Sequence, residues 1–246
     1  SRVITPPTER GALVATATTT SPDVAKKAKT ATIYGRLSFP SFTAQEAFDR
    51  SQKGDYPAKS VAEAKPDFTL LLEQAQLDKL RNHIETEFLP YCIAQEQAGE
   101  KRDKLSASEV DDLRVQINKD DFSGPYNTPF KALSEKSAEL APECVVAVKC
   151  IGPAGGNIEL KAIVNDEAEL NIPDPDILQY PVLRGLDETT HEMYPGCYVA
   201  ATVNLYAYHN GKLPGFSAGV SVAVFKTDAD RFGGGVSVDE SEIFMD

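Results

Sequence analysis

Cys197–Asn210, CYVAATVNLYAYHN, decides how the rest of the chain is read. From Cys197 to Ala207 the odd positions are Cys, Val, Ala, Val, Leu and Ala. From Tyr198 to Tyr208 the even positions are Tyr, Ala, Thr, Asn, Tyr and Tyr. A period of two is the signature of a strand with one face in a core. Asn210-Gly211 follows, a strong hairpin pair, inside the turn segment HNGKLPG. A return strand is expected from Phe216 to about Phe225. Its even positions (Phe216, Ala218, Val220, Val222, Val224) are apolar, and its odd positions (Ser217, Gly219, Ser221, Ala223) are small. The hairpin therefore has an apolar face for the core. Its other face sets Tyr198, Tyr206 and Tyr208 beside a lane of small residues, where a flat ligand can approach the backbone. The competing reading puts these tyrosines under a second packed layer, such as a long helix, because tyrosine is commonly half-buried.

Upstream, TATIYGRLSFP (30–40) alternates as well. Ala31, Ile33, Leu37 and Phe39 share one face; Thr32, Tyr34, Arg36 and Ser38 share the other, and Pro40 stops the strand. DFTLLLE (67–73) reads as a second strand. Leu77, Leu80, Ile84 and Phe88 then form one helical stripe, with an interruption expected at Pro90. Residues 99–122 are highly charged and contain SASEVDDLRVQI, a helix with Ser106 or Ser108 as its cap. ECVVAVKC (143–150) reads as a strand with Val145, Ala147 and Lys149 on one face. GPAGG breaks it, IELKAIVN continues, and NIPDPD is a loop.

The two ends differ in kind. Residues 1–29, rich in Thr, Ala, Pro and Ser, read as a flexible arm that ends in the basic KKAK. Residues 236–246, VSVDESEIFMD, form an acidic tail with Ile243, Phe244 and Met245 set among the acids, a pattern suited to transient docking.

Composition excludes several classes. The chain has 246 residues and no apolar run long enough to span a membrane. No secretory leader is visible. The four cysteines form no C-x-x-C pair, a poor zinc pattern, and read as buried thiols in a reducing cytoplasm. GFSAG (215–219) matches G-x-S-x-G, but that motif needs a strained turn and then a helix after the serine. Here Ser217 is followed by VSVAVFK, a strand pattern, and His83, His191 and His209 all precede it. THEMYP has Pro195 where a second histidine ligand would stand. No metal, cofactor or catalytic constellation is expected. With 25 Lys and Arg against 37 Asp and Glu, the formal charge is −12, which on its face disfavours nucleic acid unless the two signs are segregated.

Four motifs carry a family resemblance. They are Arg36–Pro40 (RLSFP), Tyr194–Val199 (YPGCYV), Asn204–Asn210 (NLYAYHN) and the glycines Gly233–Gly235. Together they resemble a family of tailed-bacteriophage single-stranded-DNA-binding proteins, over roughly residues 30–235. The resemblance implies a mainly β (α+β) fold, a five-stranded OB-fold barrel with added helices and flexible terminal arms. The charged middle, about 95–122, departs from the family's pattern, and a helical, charged insertion is expected around 75–122 within the domain 30–235. The resemblance also implies phage DNA replication or recombination in the cytoplasm of the infected host, and a regulatory acidic tail over 236–246.

The physics of single-strand binding asks for aromatic faces to meet bases and cations to meet phosphates. Tyr34, Tyr198, Tyr206 and Tyr208 are the candidate stacking residues, with Asn204 between them in the motif. Arg36 and Lys149 on outward strand faces, Lys212 in the hairpin turn and Lys226 past the return strand are the candidate phosphate contacts. The expected function is non-catalytic, sequence-nonspecific coating of single-stranded DNA, with duplex binding as a variant. Replication proteins would meet the tail, and a homodimer is allowed. The alternatives are a serine hydrolase using Ser217 and a β-barrel protein-interaction or virion module.

Overall fold

The structure, a computed structural model, describes residues 21–163, 183–186 and 192–233. The fold is mixed α+β. In chain order the elements are α1 (Pro22–Lys29), β1 (Thr30–Ser41), α2 (Ala44–Ser51), β2 (Asp67–Glu73), α3 (Gln74–His83), α4 (Leu89–Gln97), α5 (Ala107–Ile117), β3 (Phe130–Lys131), α6 (Glu135–Leu140), β4 (Cys144–Ile151), β5 (Glu159–Ile163), β6 (Leu183–Gly185), β7 (Tyr198–Asn210), β8 (Leu213–Gly219) and β9 (Val222–Thr227). The strands belong to one nine-stranded sheet. The pairings run in a circuit: β1 with β2, β2 with β4, β4 with β8, β8 with β7, and β7 back to β1.

Strand β7 is the centre of this sheet, and its alternation is the expected one. Val199, Ala201, Val203, Leu205 and Ala207 are buried in the core, while Tyr198, Thr202, Tyr206 and Tyr208 are half-buried and Asn204 is exposed. The hairpin turn is tighter than HNGKLPG suggests. Asn210 pairs with Leu213, so only Gly211 and Lys212 make the turn, and Gly211 supplies the φ of +62° that a side chain would resist.

The return strand departs from the expectation. It breaks at Val220-Ser221 into β8 and β9, both along the same edge of β7. Asn204 pairs with Gly219 and Ala200 with Val224, so four steps along β7 are matched by five on the returning chain. One extra residue inverts the parity of a strand. Past the break the odd positions Ala223 and Phe225 join the core cluster, and Val222, Val224 and Lys226 take the other parity.

Helix α3 continues through a π turn (Ile84–Phe88) into α4. Pro90, expected to interrupt the helix, is instead absorbed there. The wider turn, closed by Leu89 N–H donating to Ile84 O, accommodates a residue that cannot donate its own bond. The stripe Leu77, Leu80, Ile84 and Phe88 is buried in the core, and the Phe88 and Phe216 rings stand 5.6 Å apart. The helix thus meets β8 from its core side, not over the tyrosines. Its other task is to cover the free edge at the start of β1. Gln76 Oε1 accepts from Tyr34 N–H at 3.2 Å, and Lys79 Nζ donates to Thr32 O at 2.9 Å.

Two further expectations change. The last eight residues of the predicted arm, Pro22–Lys29, are helical, capped by Ser21, whose hydroxyl accepts from Val24 N–H. Phe39, assigned to the core face of β1, is 71% exposed. A bulge between Ser38 and Ser41, with Phe39 at φ +46°, turns its side chain outward. Ser106, not Ser108, caps α5, in a capping box with Glu109. All four cysteines are free and buried. Residues 1–20, the NIPDPD loop, His191 and the tail 236–246 lie outside the described residues.

Candidate nucleic-acid interface

Tyr206 and Tyr208 stand side by side on β7, ring centroids 6.0 Å apart and planes tilted by 35°. Their partners in β8 are Ser217 and Gly215. The expected lane of small residues is there, and the rings lie along it. A Cβ on Gly219 would stand 3.4 Å from Tyr206 Cε1, and one on Gly215 3.5 Å from Tyr208 Cε2. The small residues therefore let the tyrosines lie down against the sheet. Tyr208 Oη and Ser217 Oγ are 3.2 Å apart, which fixes the second ring.

Strand β1 begins at Thr30, opposite Asn204. Beyond that point the edge of β7 has no strand partner among the described residues. Asp103 fills the place of one. Its Oδ1 accepts from Ala207 N–H at 2.9 Å, between the two tyrosines, and its Oδ2 accepts from Lys29 Nζ at 2.5 Å. Around this pin lies a hollow of about 440 Å³ lined by Tyr206, Tyr208, His209, Lys29 and the loop Lys101-Arg102-Asp103-Lys104. Four cations line it against one carboxylate. Lys101, Arg102 and Lys104 are exposed and make no ion pair among the described residues. On the other side of Tyr206 a second hollow, of about 390 Å³, is lined by Thr202, Asn204, Gly219, Ser221 and Gly152-Pro153. A flat apolar ring between two open hollows, with cations at one end, can hold an aromatic ligand that carries negative charge.

The candidates from the sequence distribute unevenly. Asn204, Tyr206 and Tyr208 come together on this face, and Lys212 is exposed at the tip of its hairpin. Tyr34, opposite Ala200, lies about 20 Å further along the strand. Lys226 Nζ sits 3.2 Å from the centroid of its ring, a cation–π contact reached because the break before β9 inverts parity.

Arg36 is a correction. It was assigned to an outward face but is 6% exposed. Its Nη1 donates to Glu143 Oε1 at 2.6 Å, its Nη2 to Asp230 O at 2.8 Å, and its Nε to Gly196 O. Its guanidinium also faces the rings of Tyr198 and Phe232 at 5.4 and 4.8 Å. The chain after β9 folds back over it, so the guanidinium is enclosed rather than open to phosphate. Tyr198 belongs to the same cluster. Its hydroxyl, with one proton to donate, lies 3.1 Å from a Glu73 oxygen and 3.3 Å from a Glu143 oxygen, and burial, then these two carboxylates, push it up to about 12. A phosphate there would meet two acids. Lys149 is exposed as expected, but pairs with Asp67 at 3.0 Å in a different hollow beside Arg50 and Lys131.

Ser217 is 8% exposed in the middle of β8, not on a strand-to-helix elbow. The basic run 101–104 is what the sequence reading passed over. It stood inside a stretch dense in both signs, and only the alternation of acids and bases, with three cations in four residues, marked it.

Residues 161–244 match the family described as Enterobacter phage Enc34, ssDNA-binding protein. The match takes in β7, β8, β9 and the tyrosine face, so the resemblance carried by the C-terminal motifs holds; the Arg36–Pro40 motif and the 101–104 loop lie outside it. No curated protein sequence matches the chain. Among solved structures, the single-stranded DNA-binding protein from bacteriophage Enc34 is similar at 15% identity and a TM-score of 0.46, over 89% of this chain and 92% of that one. The same protein in complex with ssDNA gives 14% identity and 0.45, over 84% and 91%. The single-stranded DNA binding protein gp2.5 of bacteriophage T7 gives 10% identity and 0.40, over 85% and 97%.

Proposed function

We propose that this protein binds single-stranded DNA without sequence preference, in phage DNA replication or recombination, by stacking bases on Tyr206 and Tyr208. One observation carries the reading: two adjacent half-buried tyrosines, ring centroids 6.0 Å apart, line a hollow together with Lys29, Lys101, Arg102 and Lys104. Every base has a π face, so such a platform needs no sequence match, and it favours unpaired bases over a duplex. The family match over 161–244 supports the same ligand class. The circuit of pairings β1–β2–β4–β8–β7 supports reading the core as a five-stranded OB-type barrel to which helices are added. The setting is the cytoplasm of the infected host. The acidic segment 236–246 is the proposed contact for replication proteins and a competitor for the cationic hollow.

The test is fluorescence anisotropy of a labelled oligo(dT) at low and moderate salt. Saturable binding that weakens with salt is expected. Tyr206→Ala and Tyr208→Ala should each weaken it about 5- to 150-fold, the range of ~1–3 kcal/mol per stacked base, with the melting temperature little changed. An absence of binding at low salt, with residues 237–246 present or deleted, overturns the proposal.

A further inference from the structure

We infer that the loop Lys101–Lys104 is the phosphate-binding arm of the tyrosine site, and that Asp103 is the positioning residue that holds it there. The inference rests on the reading of that site as a single-strand platform and adds to it the residues that meet the DNA backbone. In a nucleic-acid strand each base is tied covalently to its phosphate, so a stacking ring needs cations within a nucleotide's reach. The candidates Lys149 and Arg36 are engaged elsewhere. The 101–104 loop is the cation source that the fold brings to Tyr206 and Tyr208.

An acid inside such a loop is electrostatically misplaced unless it is structural. Asp103 is 9% exposed, and each carboxylate oxygen has a partner: the Ala207 N–H between the two tyrosines, and Lys29. Its charge is directed inward, so the three neighbouring cations point into solvent over the rings. The backbone turns at Asp103 with φ +52°, and Lys101, Arg102 and Lys104 around it are all exposed and line the same hollow. The loop is fixed on both flanks. Glu100 N–H donates to Gln95 O at the end of α4, and Leu105, fully buried, donates to Cys92 O at 3.2 Å just before the capped start of α5. A further carboxylate close to the site, Glu109, is occupied by Ser106 N–H and by His209 at 2.8 Å. The arm is therefore rigid, cationic and aimed, which is what phosphate contact at a fixed distance from a base requires.

The test separates position from charge. Asp103→Asn and Asp103→Gly remove the same negative charge. Asn keeps an oxygen for Ala207 N–H and tolerates the left-handed φ; Gly keeps the φ and loses the pin. Pure electrostatics would tighten oligo(dT) binding equally in both. The expected result is that Asp103→Asn binds as well as the parent or better, while Asp103→Gly binds about tenfold more weakly, the equivalent of one or two lost phosphate contacts. A Lys101→Ala/Arg102→Ala/Lys104→Ala triple variant should reduce the slope of log K against log salt by about 2, from roughly 0.7 per phosphate on a single strand. Tyr206→Ala should lower affinity and leave that slope unchanged. Equal behaviour of the Asn and Gly variants, or a triple variant with the parental slope, overturns the inference while leaving the platform standing. A parent chain that fails to bind oligo(dT) at all overturns both.

Discussion

Tyr206 and Tyr208 show how much a single residue's role depends on its neighbours. Their shared face was legible in the alternation of β7. Their posture was not, because it depends on Gly219 and Gly215 across the hairpin. Gly219→Val should therefore weaken oligo(dT) binding, because its Cβ would already touch the Tyr206 ring at 3.4 Å and the branched methyls beyond it would press the ring aside; unchanged affinity would show that the ring does not need the lane. Arg36 makes the opposite point. Strand parity sets it on the face opposite Ile33 and Leu37, which reads as outward, yet Glu143, Asp230 and Phe232 come from more than a hundred residues away to enclose it. Arg36→Met should cost about 1–3 kcal/mol in urea denaturation, since the buried guanidinium's hydrogen bonds to Gly196 O, Asp230 O and Glu143 are lost. The folded fraction should bind DNA normally.

At the scale of elements, helices and strands followed local pattern, and the errors sit where one extra residue or one tertiary contact intervenes. The inserted residue between β8 and β9 leaves no mark in the sequence, since Val220-Ser221-Val222 continues a plausible alternation. It is decided by Val220 N–H donating to Ile151 O and Glu159 N–H to Ser221 O, contacts that hold the two half-strands on different neighbours. Deleting Ser221 should leave an unbroken alternation in which Val220, Ala223 and Phe225 stay in the core and Lys226 keeps its contact with Tyr34. A loss of about 1 kcal/mol is expected in denaturation, the scale of the hydrogen bond that Ser221 O accepts from Glu159 N–H; a loss of several kcal/mol would show that the break itself is needed. By contrast, the start of α5 was readable, because S-x-x-E is a local signal. Ser106→Ala should cost about 1 kcal/mol and loosen the adjoining 101–104 loop, visible as faster amide exchange at Leu105.

At the scale of the whole molecule, charge is what must be reconciled. A chain of formal charge −12 is an unpromising DNA binder until its cations are located. The hollow at Tyr206 gathers four of them, and local potential rather than total charge governs approach. Acid should destabilise the fold. Burial raises Glu143 and Glu109, but hydrogen bonds and the charges of Arg36 and His209 outweigh it, so both lie below the ordinary 4.5. Burial holds His83 below 6.5. In each case the unfolded chain takes up protons first as pH falls. Stability should decline from about pH 6.5 and more steeply below 4.5, followed by melting temperature across pH 3–8. A flat profile would remove these groups from the account. What the sequence determined by itself was most of the longer strands and helices and the two-faced hairpin, because periodicity, caps and turn pairs act over a few residues. Which face of each strand meets solvent, which cations stand near the tyrosines and which are buried in pairs were decided only by tertiary structure. Those outcomes depend on groups distant in sequence, such as Asp103 and Ala207, that the sheet circuit and its helices bring within 2.9 Å.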